Sequence, residues 1–177
     1  MKEIKIQVPK GMEIDKENST FECVKFKPIS PQDFKYVDLD LPSGTLWTNK
    51  NVGAENEEDQ GDYLNYEEAL KTHALPSKEQ FDELIKYCDW KWVKYKEVNG
   101  YLVIGKNGRS LFLPACGYHY RDGAMDGVGS NGCYWSSTPS GSEGAWELGF
   151  DSGEVSVSST NRCFEQPVRL VNKLYWK

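Results

Sequence analysis

The spacing of apolar positions divides the chain into stretches of different character. Ile4, Ile6 and Val8 alternate with polar residues, as on a half-buried strand. Phe21, Cys23 and Lys25 share one face of a second run, with Val24 and Phe26 on the other. Turn signals at Pro9-Lys10-Gly11 and Pro28-Ile29-Ser30-Pro31 bound these runs, so residues 1–31 are expected to form a β-arm or hairpin. Residues 36–53 alternate in two further short runs about a Pro42-Ser43-Gly44 turn, and residues 56–61 are acidic and expected to be exposed. Helical spacing follows. Asn65 can cap a first helix, with Glu68 three residues on, then Ala69 and Leu70. Ser77 can cap a second, with Gln80 three residues on and Phe81, Leu84, Ile85 and Cys88 forming its apolar stripe.

From Trp90 the pattern turns to β. Tyr101 to Ile104 and Ser110 to Leu113 flank Lys106-Asn107-Gly108, and Asn-Gly between apolar runs predicts a hairpin. Twelve of the sixteen glycines lie between residues 100 and 153, which predicts a loop-rich region. Further strands are expected at Tyr134 to Thr138, Ala145 to Phe150, Glu154 to Ser158 and Pro167 to Val171. In the segment from Ala145 to Ser158, read as two strands joined near Ser152-Gly153, Leu148, Phe150, Val155 and Val157 point one way. Glu147, Gly149, Asp151, Glu154, Ser156 and Ser158 point the other way. Trp146 has the inward parity but stands at the start of its strand. The outward side chains are acidic or hydroxylic, with aromatic neighbours such as Phe164. They form either a solvated sheet face or a shallow surface for polar ligands and protein partners.

Composition narrows the chemistry. The chain has 177 residues and suits one domain with a short appendage. The net charge is −6, and residues 1–100 carry 14 basic and 20 acidic side chains against seven of each in the remainder. No basic run exists to neutralise a row of phosphates or anionic lipids, so nucleic acid and membrane-surface partners are not expected. No apolar stretch is long enough for membrane insertion, and the first residues do not read as a signal peptide. The protein is therefore expected to be cytoplasmic when made.

Cys23, Cys88, Cys116, Cys133 and Cys163 show no C-x-x-C spacing, and only His73 and His119 could join them at a metal, so neither metal nor cofactor is expected. Neither histidine has a Ser or Cys partner at motif spacing. Asp122 and Asp126, with Gly123 and Gly127, suit a solvated glycine turn better than a calcium loop. No catalytic residue is expected.

One ordered set of motifs carries a resemblance. Residues 37–47 (VDLDLPSGTLW), 51–54 (NVGA), 75–81 (LPSKEQF), 113–115 (LPA), 134–138 (YWSST) and 167–171 (PVRLV) resemble the Fibrobacter succinogenes major paralogous domain family. The resemblance spans residues 36–171. It implies an α+β, C-type-lectin-like fold of the formylglycine-generating-enzyme type over residues 36–177, with two helices and a mostly antiparallel, loop-rich sheet. Relatives in gut Bacteroidetes and their phages include variable proteins of diversity-generating retroelements, whose C-terminal strands and loops change ligand preference on a fixed scaffold. By that resemblance Trp135, Leu148, Phe150, Val155, Val157 and Arg169 are framework. Ser142, Glu143, Trp146, Glu147, Asp151, Glu154, Ser156, Ser158, Phe164 and Glu165 are the ligand-facing candidates. The expected function is non-enzymatic recognition of a protein or glycan on a cell surface by a phage, prophage or surface-associated protein. The N-terminal arm would serve homo-oligomer or virion assembly. The alternatives are an assembly protein with no external ligand and a formylglycine-generating-type oxidase. Cys133 and Cys163 are the nearest cysteines for the latter, without its motif around them.

Overall fold

The computed structural model describes residues 12–14, 26–28 and 34–173. The chain divides into two units, residues 1–34 and 35–177. In the first, β1 (Met12–Ile14) pairs antiparallel with β2 (Phe26–Pro28), Glu13 opposite Lys27. The alternating runs expected at Ile4 to Val8 and Phe21 to Lys25 lie outside the described residues.

The second unit is α+β, built on short, mostly antiparallel sheets and two helices. β3 (Tyr36–Asp38) and β4 (Thr45–Thr48) pair across the Pro42–Ser43 turn, and Gly44 takes φ +69° to close it. β5 (Leu64–Asn65) leads into α1 (Tyr66–Thr72), capped by the Asn65 side chain, which accepts from the Glu68 amide. Ser77 and Gln80 form a full capping box for α2 (Lys78–Tyr87). The apolar stripe of α2 buries Phe81 and Leu84 against the C-terminal sheet, as its 3.6-residue spacing predicts. β6 (Asp89–Tyr95), β7 (Val98–Ile104) and β8 (Ser110–Pro114) form a meander, with the 106–108 turn joining the last two.

The glycine-rich stretch is less irregular than its composition predicts. It contains β9 (Tyr118–His119) and β10 (Met125–Asp126), paired antiparallel. β11 (Gly132–Ser140), β12 (Gly144–Phe150) and β13 (Val155–Asn161) form the second meander. β14 (Glu165–Gln166) pairs with both β5 and β9 and so ties the glycine-rich segment to the start of α1. Residues 167–170, expected in a strand, do not form one, since Pro167 has no N–H to give a ladder. β15 (Val171–Lys173) then pairs with β4.

The core lies between α2 and the two meanders, with Trp47, Phe81, Leu84, Tyr101, Val103 and Leu148 among its members. Of the expected framework, Trp135, Leu148 and Arg169 are fully buried, Phe150 nearly so, and Val155 and Val157 pack half-buried on the core. Arg169 donates to Asn51 Oδ1 at 2.9 Å, to the Thr48 carbonyl at 3.0 Å and to the Phe112 carbonyl at 2.9 Å. Its guanidinium thus joins three distant segments, and every acceptor it uses is uncharged. Residues 57–61, expected to be exposed, are half-buried, because the loop folds back so that the Asp62 amide donates to the Val52 carbonyl.

Candidate functional site

The β11–β13 sheet has two faces, and register assigns residues to each. Tyr134, Leu148 and Val157 lie opposite one another across the three strands and face the core. Trp135, Glu147 and Ser158 form the next row and point to the second face. Sequence parity assigns Glu147 and Ser158 to this side correctly, but it cannot show what lies over them.

β5, the start of α1 and β14 lie over part of that second face. The Trp135 indole N–H donates to the Leu64 carbonyl at 2.9 Å, and its ring meets Tyr66 edge-on at 5.5 Å. Gln166, 1% exposed, donates to Glu147. Glu147 is therefore buried, contrary to the ligand-facing role expected of it. Burial raises its carboxyl pKa, while hydrogen bonds from Gln166 and Ser158 work in the opposite direction. The Gln166 Oε1 atom is buried and has no hydrogen-bond partner among the described residues.

The other candidates are dispersed. Ser142 and Glu143 are exposed in the turn between β11 and β12. Asp151 accepts from the Gly153 and Glu154 amides and shapes the turn at the opposite end of β12, with Glu154 exposed beside it. About 20 Å of strand separates the two ends at ordinary β rise, so no single ligand of small size touches both. Trp146 is half-buried and turned to the helix side, where Lys78 Nζ lies 5.0 Å from its ring centroid. Ser156 is half-buried and Ser158 exposed.

Phe164 and Glu165 come together with Tyr118, Tyr120 and Asp126, the last of which is expected in a glycine turn. Asp126 lies directly opposite Tyr118 across β9 and β10. Tyr118 and Tyr120 are two residues apart, and both hydroxyls lie 3.2 Å from Asp126 Oδ2. The hydroxyls are also 3.0 Å from each other. Phe164 completes a triad of rings: 5.2 Å from Tyr118 at 60°, and 5.6 Å from Tyr120 at 79°. Tyr120, Met125 and Val128 are among the large apolar side chains most exposed in the described residues. Hydrogen bonding with Tyr120, then burial and Asp126, raise the Tyr118 pKa, so its phenol keeps its proton and serves as a donor. Glu165 stands opposite His119, with carboxylate and Nδ1 3.8 Å apart, and His119 stacks on Tyr63 at 3.9 Å.

Two glycines place this cluster. Gly117 has φ +61°, and a Cβ there would lie 1.9 Å from the Asp126 carbonyl oxygen. Gly127 has φ +69° and ends β10. The signal available in the sequence was the Tyr118-His119-Tyr120 alternation beside turn glycines, which reads as a short hairpin carrying two aromatics on one face.

An open depression of about 500 Å³ lies elsewhere, lined by Gly53, Glu55, Glu58, Asp59, Asp62 and others. Glu58 is paired with Lys96, and Asp59 accepts from the Asn56 amide. Among the described residues, no group of three or more His, Cys, Asp or Glu is arranged to hold a metal, and no helix is long and apolar enough to cross a membrane.

No curated protein and no solved structure matches the chain. Residues 90–171, from β6 to the first residue of β15, match the family model described as Domain of unknown function (DUF8237).

Proposed function

We propose that the protein is a non-enzymatic recognition module on a C-type-lectin-like scaffold, binding a protein or glycan on a cell surface for a phage, prophage or surface-associated assembly. The binding face centres on Tyr118, Tyr120, Asp126, Phe164 and Glu165. The lectin-like reading is supported by the order of the sequence motifs, by the antiparallel sheets with two helices, and by the pairing of β4 with β15, which brings the two ends of the unit together.

The observation that carries the binding role is the ring triad. Three aromatic side chains hold fixed mutual angles around one carboxylate at the surface, though burying them in the core would release more free energy. Rigid tyrosines with polar tips supply contact area at small entropic cost, which suits recognition. The test is a glycan and cell-surface protein screen with the full chain, repeated with Tyr118→Ala and Tyr120→Ala. Loss of the bound partner in both variants with unchanged thermal melting supports the reading. Retention of full affinity in both removes this face from the function.

A further inference from the structure

Elsewhere among the described residues, four aromatic rings are covered by the chain's own cations. Lys78 lies over Trp146, Lys86 and Lys106 over Tyr87, Lys96 over Tyr95 and Arg162 over Tyr66, each within 4.8–5.2 Å of a ring centroid. Among the described residues, no cation lies over Tyr118, Tyr120 or Phe164, and none pairs with Asp126. The cluster's rings and carboxylate together suit a cation. Both phenols bond to the same oxygen of Asp126, which leaves Oδ1 without a partner among the described residues. A phenol that donates to a carboxylate has a more electron-rich ring, and the negative face of such a ring attracts cations.

Resting on the recognition role above, we infer that this cluster receives an arginine side chain from the surface of a protein partner. A guanidinium is planar and weakly hydrated, so it can stack on one ring while its N–H groups reach a carboxylate edge. The free oxygen of Asp126 supplies that edge. Glu165, with 41% of its side chain exposed, adds a second negative charge next to Phe164. Asp126 and Tyr118 are a direct cross-strand pair and Tyr120 follows immediately after β9, so the receptor is formed before the ligand arrives.

The experiment titrates the full chain with N-acetyl-arginine-amide, N-acetyl-lysine-amide and N-acetyl-citrulline-amide, following the tyrosine ring signals by NMR. Saturable shifts of Tyr118 and Tyr120 are expected with the arginine compound. Citrulline, the neutral isostere, should bind about tenfold or more weakly. Asp126→Asn should abolish the arginine response while the rest of the spectrum stays unchanged. Equal response to citrulline, or shifts outside the cluster, overturns the inference. The wider reading is judged separately by the partner from the surface screen. If that partner is lost with Tyr118→Ala but unaffected by Asp126→Asn, the face stands and the cationic ligand fails. If neither change affects it, both fail.

Discussion

Replacing Glu147 with Gln is expected to stabilise the protein at neutral and alkaline pH. Glu147 is 9% exposed, and its carboxyl pKa is raised by burial. A carboxyl whose folded pKa exceeds its unfolded value contributes fully below the unfolded pKa, near about 4.3 for Glu. That contribution is lost as pH rises through the folded value, at about 1.4 kcal/mol per unit of elevation. Gln cannot ionise and suffers no such loss. Its amide can also donate to Gln166 Oε1, which lacks a partner, and satisfying a buried acceptor is worth about 1–3 kcal/mol. A protonated Glu147 can make the same bond, so the two proteins should converge in acid. The expected gain is about 1–3 kcal/mol at pH 8, shrinking towards zero near about pH 4. Urea unfolding followed by tryptophan fluorescence at both pH values measures it. A variant less stable than the parent at pH 8, or a difference independent of pH, would refute the reasoning.

Arg169→Met should cost about 3–5 kcal/mol, because the Asn51, Thr48 and Phe112 oxygens lose their donor inside the protein. Thermal melting reads the loss, and a melting temperature unchanged from the parent's contradicts the bonding described. Gly117→Ala should weaken partner binding without altering any ring, since the new Cβ meets the Asp126 carbonyl and displaces β10. Surface plasmon resonance against the partner from the screen tests it, and unchanged affinity speaks against a preformed cluster. Among Cys88, Cys116, Cys133 and Cys163, the exposed Cys163 should react first with a thiol reagent at pH 8. Burial pushes the pKa of Cys88 and Cys116 up to about 11 and that of Cys133 up to about 12. Mass spectrometry of partially labelled protein identifies the first site, and prior labelling of Cys133 would contradict the burial.

Long periodic elements were legible in the sequence and two-residue strands were not. The Ser77 cap and the Phe81, Leu84, Cys88 stripe define α2 because ten residues carry enough turns to show a period. The alternation of Leu148, Phe150, Val155 and Val157 gives the inward face of β12 and β13 for the same reason. β5, β10 and β14 span two residues each, too short to show alternation, and Tyr118-His119-Tyr120 at β9 gives a single repeat of it. Yet these elements decide the site. β14 brings Gln166 onto Glu147 and sets Phe164 beside Tyr118, contacts between residues far apart in sequence. Parity states which way Glu147 points, and only tertiary packing states that something lies above it.

Arg169 sets an order of events during synthesis. Its acceptors Thr48, Asn51 and Phe112 leave the ribosome long before it does, and they wait in the interior without their donor until the last stretch of the unit emerges. β4 likewise gains its second neighbour only when Val171 arrives opposite Trp47. Closure of the unit is therefore a late step governed by contacts of long sequence separation. A chain stalled before residue 169 would leave Trp47 and its neighbours open to chaperones and proteases rather than yield a smaller working domain.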